Sequence, residues 1–403
     1  MKVLITTDLF KPQINGVVTS VINLYDELKK MGVDVKILTL SRTVHSYREG
    51  DVFYISSFPL KIYPDVRASV SINNEILDEL IEWSPDIIHT QCEFSTLVFA
   101  KIIAKKVQCP IVHTYHTMYE HYVRYVIRYD RMAKKLVSVG MKQLLKKCSA
   151  IIAPTKKVKK SLKKYGMNSK IAVIPTGLDL SVFEEKISIE EVEKLKLKFN
   201  IPREDFIILA LGRVAEEKNI DELVDHFGET FERKGNVTFL IAGDGPYKKK
   251  LEEKVQKIGY KKIIFTGMIP PTEVYKIYQL ADVFVCASNS ETQGLTFIEA
   301  MANSLPLVCR YDDCLEGMLV DNVNGFYFEN REEFTTGVEK MIEDSILREE
   351  FGESAKKTSI KYSKEFFAKK VMVLYVEVLS NYRHKPTPKR NYYKLKSVLE
   401  KYI

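Results

Sequence analysis

At 403 residues the chain exceeds one ordinary hydrophobic core; at ~100 to 200 residues per domain it divides into two or three domains, two being the working number. Its 45% hydrophobic and 28% charged residues exclude a disordered or fibrous protein, no run approaches the ~18 apolar residues of a membrane span, and six scattered cysteines without CxxC or a His at metal spacing argue against a disulfide framework or zinc site. The net charge of +8 is polarised: Arg131 to Leu178 holds thirteen Lys or Arg and no acid, Tyr382 to Ile403 adds a net +6, and the rest is about −11 by subtraction.

The start, MKVLITTDLF, has one Lys and enters a strand-like run with neither a long apolar stretch nor a small-residue cleavage site, so a cytoplasmic protein is expected. Short β-branched runs then alternate with helical periodicity: VLITT (3–7), VKILTL (35–40), DIIHT (86–90), IVHTY (111–115), AIIAP (150–154) and IAVIP (171–175). Such alternation marks βαβ units and a parallel sheet. The pattern restarts with FIILALG (206–212), VTFLIAG (237–243), IIFTG (263–267), DVFVCAS (282–288) and LPLVC (305–309), so the expected fold is α/β with two Rossmann-like halves. Between them PTGLDLSVF (175–183) breaks both periodicities and places a hinge near 175 to 200, with domains of residues 1–178 and 179–361. After Tyr362 a helical stretch, KEFFAKKVMVLYVEVLSNY, leads into the basic tail RHKPTPKRNYYKLK; residues 362–403 are assigned to the first domain.

Chemistry concentrates in a few segments. In ETQGLTFIEAMANSLPLV (291–308) a turn holding Gly294 opens a helix at about Leu295, so free backbone N–H groups and the positive dipole end suit a diphosphate. Glu291 in the loop and Glu299 one turn into the helix can then reach opposite ends of one ligand; the alternative is a solvated loop charge and an ordinary helix acid. In LGRVAEEKN (211–219) Arg213 and Lys218 follow the first strand of the second half, a planar fork and a point charge suited to a leaving diphosphate. AGDGP (242–246) is a second glycine turn that is equally a tight turn. In the first half, Gly16 in FKPQINGVV follows strand one, where backbone can approach a phosphate or sugar. In HTYHTMYEHY, His113 and His116 end another strand, where a single His is alternatively a satisfied core residue; His116, taken as the last residue of its strand, is the better candidate to touch a sugar hydroxyl or a charged transition state.

Together the GR…K pair, the AGDGP turn, the Glu291 to Glu299 segment and the PTGLD hinge resemble the large retaining glycosyltransferase family of GT-B proteins, over nearly the whole chain. The resemblance implies two Rossmann-like domains facing a cleft, a C-terminal helix returning to the first domain, a UDP- or GDP-sugar on the second domain and an acceptor on the first. It also implies that no Mg2+ or other metal is needed. Carried over by motif, the donor set is Gly16, Arg213, Lys218, Gly243, Gly267, Glu291, Gly294, Leu295, Thr296 and Glu299, and the catalytic set His116, Arg213, Lys218 and Glu291. LFKPQINGVVTSVINL, CEFSTL and HTYHTMYEHY are similar to bacterial diacylglycerol glucosyltransferases, which implies UDP-glucose as donor and diacylglycerol as acceptor. One departure is Thr90-Gln91-Cys92, where relatives more often carry a second His after His89.

A lipid acceptor fits a further pattern. In RMAKKLVSVGMKQLLKK (131–147) Met132, Leu136, Val137, Met141, Leu144 and Leu145 recur at helical spacing between basic residues, as in a basic amphipathic helix lying in an anionic headgroup layer. The alternative is a core-facing helix with a solvated basic face. The expected membrane-binding set is Lys134, Lys135, Lys142, Lys146, Lys147, Lys156, Lys157, Lys159 and Lys160, making the protein peripheral on the inner face of the cell membrane. Two rival readings stay open: a soluble sugar, glycolipid or cell-wall polymer as acceptor, and a basic nucleic-acid-binding protein, although no nucleic-acid recognition motif accompanies the charge.

Overall fold

The computed structural model describes residues 1–13, 15–60, 67–118 and 130–382, with backbone alone for 130–137. The chain forms two compact units: Met1–Leu178 with the helix Lys364–Asn381, and Asp179–Ser363.

The first unit is built on an eight-stranded sheet of β1 (Lys2–Thr6), β2 (Asp34–Leu40), β3 (Tyr47–Glu49), β4 (Val52–Ile55), β7 (Ile87–Thr90), β8 (Ile111–Thr114), β9 (Ala150–Ala153) and β10 (Lys170–Val173); β5 (Phe58–Pro59) and β6 (Arg67–Ala68) form a separate small hairpin. The order is β10-β9-β8-β7-β1-β2-β4-β3, parallel throughout except for the antiparallel edge strand β3. The central strands are buried along their length, as a sheet covered on both faces requires. The helix Lys364–Asn381 supplies part of that cover, since Phe367, Val371, Met372, Leu374 and Tyr375 share a core with Val3, Ile5, Leu24, Ile87 and Val112.

The second unit has six parallel strands: β11 (Phe206–Leu211), β12 (Val237–Ala242), β13 (Ile263–Gly267), β14 (Val283–Cys286), β15 (Leu307–Arg310) and β16 (Gly325–Phe328). Their order, β13-β12-β11-β14-β15-β16, is the doubly wound arrangement of a dinucleotide-binding fold. The reversal falls between β11 and β14, and in the first sheet between β1 and β7. In such sheets ligands sit beyond the carboxyl ends of the strands at this switch point, so the loops after Leu211 and Cys286, and those after Thr6 and Thr90, are where chemistry is expected.

Several sequence expectations need adjustment. β3, β4 and β16 were not anticipated, because GFYF and VFYI are four-residue runs beside glycine turns with no room for a periodic signal. The chain crosses from the first unit to the second after Leu178, and the helix Ile189–Lys198 belongs to the second unit, so the broad 175 to 200 hinge narrows to that crossing. β8 ends at Thr114; His116 therefore lies in the loop two residues beyond it.

Candidate active site

The second unit holds most of the expected donor residues. Beyond β11 and β12 the two chains stay paired after the strands end: Gly212 N–H donates to Ala242 O at 2.9 Å and Val214 N–H to Asp244 O at 2.9 Å. That pairing depends on Gly243, whose φ is +135° and whose missing Cβ would stand 1.9 Å from Gly212 O. Gly243 N–H in turn donates to Gly267 O at 3.0 Å, which puts Gly267 on the side away from the switch point. The AGDGP turn is thus the packing element that seats the loop bearing Arg213, and Gly267 extends it.

From this loop Arg213 ion-pairs with Glu217, four residues on, and Lys218 ion-pairs with Glu291 from the loop after β14. Two further bonds lock these loops together: Asn219 Nδ2 donates to Ala287 O at 3.1 Å, and Ser290 Oγ donates to Glu217 O at 3.1 Å. Both cations and their carboxylates are about one-third exposed or less, so the pairs are only partly screened by water. Within these two loops two cations and two acids neutralise one another.

Next to this pair the helix Leu295–Ala302 begins at Gly294, left-handed at φ +73°, an N-cap residue with no side chain of its own to cap the helix. A Cβ at Gly294 would lie 2.3 Å from the Phe297 ring, so packing keeps a glycine at this position. The first-turn amides of Leu295 and Thr296 are the anion-binding groups of such a terminus. The Thr296 methyl lies toward Gly212, which brings the helix start beside the Arg213 loop. Glu299 accepts a hydrogen bond from Tyr278 Oη at 2.7 Å, and burial raises its carboxyl above the ordinary range. The structure therefore groups Arg213, Lys218, Glu291, Gly294, Leu295 and Thr296 at one switch point, with Glu299 one turn deeper on Tyr278.

Sequence reading missed Glu217, Asn219 and Tyr278. Glu217 was legible as an acid four residues from Arg213. Tyr278 sits on a separate helix, Val274–Leu280, and nothing in the sequence connects it to Glu299.

In the first unit the helix Gly16–Lys30 starts at Asn15, whose Oδ1 accepts from Val17 N–H and Val18 N–H at 3.0 Å each, so these two amides are already bound to protein. His113 is fully buried, its Nδ1 2.7 Å from Thr90 Oγ1 and its Nε2 3.3 Å from Glu93 Oε1, a satisfied core residue. His116 Nε2 lies 2.6 Å from Gln91 Oε1, and burial, with the neighbouring His113 a lesser cause, pushes its pKa down to about 3. Asp8, beyond β1, accepts from Thr96 N–H at 2.9 Å and Phe94 N–H at 3.3 Å, capping the helix Ser95–Val107 from another loop. Burial raises its pKa from 3.8 to about 6 against the lowering effect of those amides. Because the folded pKa lies above the unfolded one, the folded state binds the extra proton between these values, and stability falls as pH rises from about 4 to about 6. Chemical denaturation across that window should show this loss in the wild type and a flatter curve in Asp8→Asn; parallel curves would sink the assignment.

The basic surface is partly revised. Met141 and Leu145 are 7% and 0% exposed in the first unit's core, with Leu144 packed against it, so the apolar stripe of the helix Asp130–Leu145 faces protein there. Of the apolar stripe, the described residues Met141, Leu144 and Leu145 are thus used by the fold. Lys142, Lys146 and Lys147 are exposed, as are Lys156 and Lys160 on the helix Lys156–Lys164, while Lys157 and Lys159 are half-buried. The side chains of Lys134 and Lys135, with those of Met132, Leu136 and Val137, and the tail from Arg383 lie outside the described residues. Among the described residues no helix is long and apolar enough to cross a membrane.

Two doubly wound sheets, parallel but for the edge strand β3, are the architecture of the GT-B fold, and the chain belongs to the glycosyltransferases: residues 14–182 match glycosyltransferase family 4 and residues 191–358 match glycosyl transferases group 1. It is 32% identical to the alpha-monoglucosyldiacylglycerol synthase of Streptococcus pneumoniae, over 94% of this chain and 87% of that protein. It is also 32% identical to the alpha-monoglucosyldiacylglycerol synthase of Acholeplasma laidlawii, over 94% and 98%. Among solved structures, Anabaena Alr3699/HepE in complex with UDP and glucose superposes with a TM-score of 0.72 at 17% identity, covering 94% of this chain and 99% of that one.

Proposed function

We propose that this glycosyltransferase transfers glucose from UDP-glucose to diacylglycerol, with retention of configuration, while attached peripherally to the cytoplasmic face of a membrane. The observation that carries the reading is the similarity to two monoglucosyldiacylglycerol synthases along 94% of the chain. In this reading Arg213, Lys218 and the amides at Leu295 and Thr296 meet the charge that develops as UDP departs, a task the proposal gives to protein groups and not to Mg2+. Glu299 binds the ribose and Glu291 orients the sugar. The acceptor hydroxyl attacks from the face that UDP leaves, and the departing phosphate oxygen takes its proton, so the new glycosidic bond forms as the old one breaks. Attachment rests on lysines: with ~1 kcal/mol for each basic residue near an anionic surface, the exposed Lys142, Lys146, Lys147, Lys156 and Lys160 supply reversible binding. That predicts binding that weakens steeply with salt.

The test is incubation with UDP-glucose and other UDP- and GDP-sugars on diacylglycerol vesicles with and without anionic lipid, the product being identified by mass spectrometry and its anomer by NMR. The expected result is an α-glucosyl diacylglycerol, formed faster on anionic vesicles. A soluble acceptor glycosylated in place of the lipid, or a product with inverted configuration, would overturn the proposal.

A further inference from the structure

A chain of hydrogen bonds runs through the first unit from the helix Lys364–Asn381 to His116. Tyr375 Oη lies 2.6 Å from His89 Nδ1; His89 Nε2 lies 2.6 Å from Thr114 Oγ1 and 3.3 Å from Gln91 Nε2; Gln91 Oε1 lies 2.6 Å from His116 Nε2. Tyr375, His89, Thr114 and Gln91 are each at most 1% exposed, so water does not complete these bonds and each proton has to be placed by the protein.

The protons follow from what each atom is able to do. An amide nitrogen only donates and an amide oxygen only accepts. Gln91 Nε2 facing His89 therefore requires a bare Nε2 on that ring, with the His89 proton on Nδ1, donated to Tyr375 Oη, and Thr114 Oγ1 donating to the same bare nitrogen. At its other end Gln91 Oε1 requires a proton on His116 Nε2. Burial holds both rings below the ordinary imidazole range, so each carries a single proton. Nδ1 of His116 is then the nitrogen left with a lone pair.

We propose that Gln91 is a positioning residue that fixes His116 in the Nε2–H form, so that His116 meets its substrate as a hydrogen-bond acceptor, taking a sugar or acceptor hydroxyl on Nδ1. His116 is on this view neither a cation nor a donor. This gives a role to Gln91, a side chain with one donor end and one acceptor end: the two ends set the protons of two different rings. The consequence for turnover rests on the proposed reaction; the proton positions do not.

The experiment uses the full chain labelled with 15N-histidine, with rings assigned through His89→Asn and His116→Asn spectra. In the wild type His116 should appear as the Nε2–H tautomer and His89 as Nδ1–H. Gln91→Met, similar in length but without the amide, should leave His116 as a mixture of tautomers. Gln91→Glu, an acceptor at both ends, should keep His116 as Nε2–H while moving the His89 proton to Nε2. An Nδ1–H wild-type His116, the outcome if the amide is turned over, or an unchanged His116 tautomer in Gln91→Met, overturns the inference. In turnover assays Gln91→Met should lower kcat roughly 10-fold, the loss of one well-oriented hydrogen bond, with the KM for UDP-glucose unchanged. If the wild type makes no glycolipid, the proposed function fails and the tautomers still decide this point; unfolding midpoints within experimental error of wild type separate the effect from misfolding.

Discussion

Lys218→Ala is expected to lower kcat by roughly 10²- to 10³-fold, the range for removing one fixed donor or charge from a site where negative charge develops. The ion pair with Glu291 makes the experiment sharper than a single loss, because each partner alone predicts a different pattern. In the proposed reaction, removing Lys218 takes away a phosphate ligand and leaves the negative charge of Glu291 without its Lys218 partner, so both turnover and UDP affinity should fall. Removing Glu291 instead frees Lys218 for the diphosphate. Glu291→Ala should therefore lose turnover to a similar degree while binding UDP as tightly as the wild type, or more tightly. Calorimetric titration with UDP beside steady-state kinetics reads both quantities. Equal loss of UDP affinity in the two variants would refute the competition between carboxylate and diphosphate. Neither substitution should alter sedimentation with anionic vesicles, because the lysines proposed for attachment belong to the other unit.

Gly243→Ala is the second large effect, and it acts on stability. The added methyl would have to enter a space already held by Gly212 O, at 1.9 Å, on a backbone with φ of +135° that side chains rarely adopt. The neighbour is backbone in a paired loop, so it cannot swing aside as a flexible side chain would. A cost of ~4 kcal/mol or more is expected, at the severe end of single substitutions. Denaturant unfolding followed by hydrogen exchange should show residues 179–363 losing protection while the strands of the first unit keep theirs. Unaltered protection in the second unit would mean that the loop relaxes at little cost.

These outcomes bear on what the sequence reveals. The strand series and the glycine turns were legible because a parallel sheet buried on both faces needs continuous β-branched runs, and its switch-point loops need glycine where backbones meet. Gly243, Gly294, Arg213 and Lys218 could be found in that way. What the sequence cannot display is pairing across distance. Glu291 and Lys218 are 73 residues apart, and Tyr278 and Glu299 lie on separate helices, so no local spacing predicts that Lys218 is neutralised or that the deeper acid is held by a tyrosine. The helix Asp130–Leu145 shows the converse limit. Its amphipathic period is readable, but the period alone does not say whether the apolar stripe meets lipid or protein, and Met141 and Leu145 meet protein.

The crossing between the two units has a modular consequence. Leu178, where the chain leaves the first unit, accepts a hydrogen bond from the Lys364 amide, where it re-enters, at 2.8 Å. Residues 179–363 are thus spliced into the sequence of the first unit like a cassette in a holder. Evolution or an engineer could exchange residues 179–363 for the corresponding segment of another family member and, in the proposed reading, change the sugar, while the Leu178–Lys364 seam stays within the first unit.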